Sequence, residues 1–86
     1  MLIFVTYEAP PDGEDRTAAF QQVIDQFAAG RHFQPFTNRW LIETDESLDI
    51  WLNRFGSPGR YLIFRVQERP TGVLPVDSWD WIKAVI

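Results

Sequence analysis

Four carboxylates stand between positions 8 and 15: Glu8, Asp12, Glu14 and Asp15. Oxygen-rich sets of this kind hold hard divalent cations, and a cation held so activates water or steadies a phosphoryl group. On that reading Glu8 is the candidate catalytic residue, Glu8 and Asp12 are the candidate metal ligands, and the cation is Mg²⁺ or Mn²⁺. The simpler reading is a solvated acidic loop in which Glu14 or Asp15 serves the start of the helix that follows. His32 is the only imidazole. General-base work needs a nucleophile and an orienting group beside it, and its sequence neighbours suggest neither, so it reads as an exposed loop residue. With no cysteine there is no thiolate to attack a substrate or bind zinc, and no disulfide to brace the fold. No glycine-rich phosphate loop, Ser-His-Asp order or metal-spaced histidine cluster occurs. No residue pattern identifies a reaction, and no cofactor is expected outside the metal reading.

Other residues point to binding. Trp40, Trp51, Trp79 and Trp81, with Phe33 and Phe36, have flat faces on which bases stack. The net charge of −4 opposes that use, because nucleic-acid binders carry a basic surplus to neutralise phosphates. Core or interface roles fit better. Trp51 shares a helical face with Leu48 and Phe55, whereas Trp79 and Trp81 stand two apart and cannot both face inward. Trp79, Trp81 and the apolar end at Ile86 are therefore the candidate interface residues. The arginines are scattered, and those around the last strand (Arg54, Arg60, Arg65, Arg69) read as solvated surface or as partners of Glu43 and Glu68. An acidic chain also suits a basic protein partner, or mimicry of a polyanion.

The 86 residues make a single domain, 1–86, with no room for a second core. Apolar residues make up 45% of it, enough to fold. The longest apolar run is far short of a membrane span and no basic segment precedes an apolar one, so a soluble, cytoplasmic protein is the expectation.

The elements follow from periodicity. Leu2–Tyr7 is apolar on both faces and predicts a central strand, ended by Glu8 and a proline-rich polar loop. Phe20, Val23, Ile24 and Phe27 mark one face of a helix over Arg16–Ala29, with Gly30 as its C-cap. His32–Phe36 contains Pro35, which demotes it to an edge strand or an irregular entry, with Thr37-Asn38 as a hairpin turn. Trp40–Thr44 is a strand running into a second helix, Glu46–Phe55, with Asp45 as its N-cap. Gly56-Ser-Pro-Gly59 stops that helix. Arg60–Glu68 alternates cleanly, with Leu62, Phe64 and Val66 on one face. A short terminal helix follows, capped by Asp77 or Ser78. The order is βαββαβ plus a small helix. That is the α+β, ferredoxin-like sandwich: an antiparallel four-stranded sheet, first and third strands central, with two helices on one face. Its other face awaits either a second copy or the C-terminal segment.

Tyr7-Glu8 at the end of the first strand, the junction Arg39-Trp-Leu-Ile-Glu-Thr-Asp45, and the tail Ser78-Trp-Asp-Trp81 together resemble the small SinR-type proteins. Those are themselves similar to the ferredoxin-like CRISPR adaptation protein and to the virulence-associated protein D toxins. The resemblance implies a ferredoxin-like homodimer and, in some relatives, metal-dependent nuclease activity attributed to an Asp ending the first strand. Glu8 occupies that position here, one methylene longer. The basic residues that follow it in the CRISPR members are replaced by Asp12, Glu14 and Asp15.

The leading expectation is a small acidic binding or accessory protein that pairs with itself. A metal-dependent nuclease or toxin component using Glu8 is the alternative. An acidic inhibitor covering the basic surface of a nucleic-acid-binding protein is the third reading.

Overall fold

The computed structural model describes residues 1–57 and 59–85. The described residues form, in order, β1 (Leu2–Glu8), α1 (Thr17–Phe27), β2 (His32–Phe36), β3 (Arg39–Glu43), α2 (Leu48–Phe55), β4 (Arg60–Arg65) and α3 (Val76–Val85). The strands form one antiparallel sheet in the order β2-β3-β1-β4, so β1 and β3 are interior, as their apolar composition predicts. Val5 stands opposite Trp40 on one side and Ile63 on the other.

Alternation along the strands separates two apolar layers. Ile3, Val5 and Tyr7 of β1 and Trp40 and Ile42 of β3 pack with Phe20 and Ile24 of α1 and Trp51 and Phe55 of α2. Trp40, Trp51 and Phe20 are the largest fully buried side chains, so Trp51 is core, as its helical face predicts. The indole N–H groups have partners: Trp40 donates to Gln21 at 3.0 Å and Trp51 to Thr44 Oγ1 at 3.4 Å. A second, smaller layer on the opposite face joins Leu2, Leu41 and Ile82, with Phe4, Trp79 and Trp81 half-buried around it. The C-terminal segment thus covers part of the second face: α3 lies there, while α1 and α2 share the first.

Several element ends differ from the sequence reading. The cap of α2 is Ser47, whose Oγ accepts from the Ile50 N–H at 3.4 Å, while Asp45 is exposed before the helix. Thr44 explains the shift. Its buried Oγ1 accepts from the Glu46 N–H at 3.1 Å, which makes a turn of Thr44–Glu46 and delays the helix to Leu48. At α3 the helix opens at Val76, the Pro75 carbonyl accepts from the N–H groups of Ser78 and Trp79, and Ser78 is buried inside the first turn rather than capping it. α1 stops at Phe27 with Ala28 as its cap, and Gly30 takes a positive φ of 73° in the turn beyond. β4 ends at Arg65, short of the predicted Glu68, because in this register Val66 already reaches Leu2, where β1 begins, and Gln67 and Glu68 have no residue of β1 to pair with. Ile86, the third candidate interface residue, lies outside the described residues, as does Pro58.

Candidate interaction surface

The acidic loop resolves into separate local contacts. Asp15 accepts from the Thr17 N–H at 2.9 Å and from its hydroxyl, and these bonds hold its carboxyl below the usual carboxylate range. It therefore serves the start of α1, the role the simpler reading of the sequence assigns. Glu14 pairs with Arg16 at 3.1 Å. Glu8 ends β1 with its side chain 65% exposed and faces Arg60 at 3.7 Å. Asp12 is exposed in the loop. Among the described residues no group of three or more His, Asp or Glu side chains stands close enough to hold a metal ion. A cavity of about 470 Å³ beside Glu8 and Arg60 is shallow and mixed in polarity.

His32 is half-buried at the start of β2 rather than exposed in a loop. Its Nδ1 lies 2.9 Å from the Ala28 carbonyl and its Nε2 3.4 Å from Asp25, so the ring ties β2 to the end of α1. The arginines are dispersed. Arg54 chelates Glu46 with both terminal guanidinium nitrogens, Arg60 meets Glu8, and Glu43 pairs with Arg31 at 3.5 Å. Arg65 and Glu68 are exposed. They do not form a single anion-binding patch.

What the fold does gather is apolar surface on the second face of the sheet. α3 covers the β2–β3 half: Trp81 stacks on Phe33 with ring centres 5.7 Å apart, and Ile82 is buried on Leu2 and Leu41. Trp79 and Trp81, two apart on α3, are both half-buried against this layer. The β1–β4 half is left open. There Phe4 and Phe64 pair at 5.2 Å, Phe64 is 47% exposed and Leu62 is 67% exposed. Between the open half and α3 runs an apolar groove of about 350 Å³, walled by Phe36 and Leu41, by Trp79, and by the loop from Pro70 to Leu74. Val73 stands exposed at its rim. The strict alternation of β4 put Leu62 and Phe64 on one face in the sequence reading. Placing the first and third strands at the centre made β4 an edge; it did not show that α3 stops short of covering it.

Main-chain geometry adds to this surface. Val66 donates to the Leu2 carbonyl at 2.9 Å, so even-numbered residues of β4 turn their amides to β1. Tyr61, Ile63 and Arg65 therefore turn theirs outward. Among the described residues no hydrogen bond reaches those outward amides.

No helix among the described residues is long and apolar enough to cross a membrane. No family model, curated protein or solved structure matches the chain.

Proposed function

We propose that this protein is a non-catalytic binding protein that works as a pair of identical chains, built on the ferredoxin-like plan and akin to the SinR-type proteins. The observation that carries this reading is the open β1–β4 half of the second sheet face. Large apolar side chains there, Leu62 and Phe64 foremost, stand in water although α3 already covers the neighbouring half. Contiguous exposed apolar surface beside a groove marks a place where something docks. Pairing through a two-fold axis lets one patch serve both partners. Interior β1 and β3 with two helices on one face support the ferredoxin-like plan.

The test is molar mass in solution by light scattering, up to about 0.1 mM, where a micromolar complex is well populated. The expected mass is that of two chains, falling to one in the double variant Leu62→Asp, Phe64→Asp. Both side chains are already exposed, so the variant keeps its fold. A single-chain mass for the unaltered protein overturns the reading.

The cleavage alternative has one strand-end carboxylate behind it. Glu8 is exposed and already paired, with Asp15 and Glu14 engaged elsewhere. The expected result with RNA and DNA in Mg²⁺ or Mn²⁺ is no cutting, by the unaltered protein or by Glu8→Gln. Cutting that Glu8→Gln abolishes would establish the nuclease instead.

A further inference from the structure

A sheet of this kind has two free edges, and here they are built differently. β2 is five residues long, carries Pro35, and its register with β3 shifts between Phe33 and Phe36. A proline without an N–H and an irregular register are devices that keep an edge from templating another strand. β4 has neither. Arg-Tyr-Leu-Ile-Phe-Arg is six residues with no proline, in unbroken register with β1 from Arg60 to Arg65. Its outward amides belong to Tyr61, Ile63 and Arg65.

We infer that β4 pairs antiparallel with β4 of a second copy of this chain, about a two-fold axis passing through Ile63. This rests on the reading of the protein as a pair of chains and specifies how the pair is made. A two-fold axis normal to the sheet keeps its faces aligned, so only positions of equal parity can oppose each other. With Ile63 on the axis, Ile63 opposes its own copy and Tyr61 opposes Arg65. These are the residues whose amides point outward, so each such pair exchanges two main-chain hydrogen bonds. Leu62 then opposes Phe64 twice, at the non-hydrogen-bonded positions where side chains come closest. The two most exposed side chains of the open face between β1 and β4 become each other's cover. No arginine opposes an arginine, and Arg65 lies over the ring of Tyr61, a favourable cation–aromatic contact. The neighbouring register, with Leu62 on the axis, sets Phe64 against Arg60 and is poorer. The segment is thus self-complementary in backbone and in side chains, which identifies the occupant as this chain itself. The two sheets become one, with both α3 helices on the same face and the two grooves flanking a shared apolar strip.

The chain has no cysteine, so introduced thiols report position without competition. Leu62→Cys and Phe64→Cys are made separately, mixed in equal amounts and oxidised, and the products are resolved without reductant. Opposed non-hydrogen-bonded positions lie about 4.5 Å apart at Cα, within disulfide range. The expected product is a disulfide-linked pair joining position 62 to position 64, formed efficiently only in the mixture. Efficient self-linking of Leu62→Cys alone overturns the register. A two-chain mass with no linkage in the mixture overturns the edge pairing while leaving the paired protein intact. A second variant guards the conclusion. Arg65→Pro removes only an outward N–H and an exposed side chain, so the fold stands, and it should weaken pairing about tenfold or more. Pairing at unchanged strength in Arg65→Pro also overturns the proposal.

Discussion

Arg54 is the most constrained cation of the molecule. Its guanidinium holds both oxygens of Glu46 and lies 3.9 Å from the ring centre of Phe27 and 4.8 Å from that of Trp51. A bidentate pair of this kind fixes both side chains and closes α2 against the end of α1. The hydrogen bond from Arg54 holds the Glu46 carboxyl below its ordinary range. The sign follows from linkage: the folded state binds this proton less readily than the unfolded chain. The pair therefore contributes in full above the ordinary carboxylate range, and the contribution is lost as pH falls through the lowered value. Urea unfolding at stepped acid pH should show a shallower acid decline in Glu46→Gln than in the unaltered protein, and parallel curves would exclude this role. Gly56 makes a second prediction. Its φ of 73° with ψ of −140° is a backbone conformation open almost only to glycine, and open space surrounds the site of a Cβ. Gly56→Ala should therefore cost about 1–3 kcal/mol in urea unfolding through backbone conformation alone, with no change in packing. The stop at Gly56 was legible in the sequence. The Arg54–Glu46 chelate was not, because the two residues are not i,i+3 or i,i+4 neighbours on a helix, and a two-residue delay in α2 sets their geometry.

α3 is the element whose role the sequence left open. Its aromatic residues read as either a partner surface or a cover for the sheet, and Trp79 and Trp81 lie half-buried on the second layer. That layer is thin. Ile82 is its one fully buried anchor from α3, reaching Leu2 and Leu41. Ile82→Ala should cost about 2–4 kcal/mol by thermal or urea unfolding. Hydrogen exchange should then show α3 losing protection before the sheet, since locally weak elements open first. A loss spread evenly over all elements would mean that the second layer is continuous with the main core. Periodicity located the helices and strands because each buries a face of fixed spacing. It could not give their ends, which depend on single hydrogen bonds such as those of Thr44 and Pro75. Nor could it say how far α3 extends over the sheet, because that follows from the path of the loop after β4.

For the whole molecule, stability and association are coupled if the pair forms. Thermal unfolding then depends on protein concentration. A tenfold rise in concentration is worth about 1.4 kcal/mol per pair. In a domain of this size that raises Tm by about 3–5 °C. An unchanged Tm over that range would mean that the folded chain stands alone during unfolding. The interior place of β1 and β3 was legible from the order of elements and their apolar character. The exposure of the β1–β4 half was not, because strand alternation does not show how far α3 extends over the second face. The role of Asp15 at the start of α1 was legible too, because a carboxylate just before a helical period has free backbone N–H groups to accept from.

The interior place of β1 has one more consequence, for how the chain is made. β1 precedes every partner it will pair with, and Ile3 must wait for Arg65 before its outer side is closed. Contacts this far apart in sequence raise the entropic barrier to folding and slow it. During synthesis the stretch Leu2–Tyr7, among the most buried in the finished protein, is made before both strands that flank it and stays uncovered until β4 follows. It is the segment on which a chaperone would act, and the one whose sticky interval sets how fast the chain can be produced without aggregation.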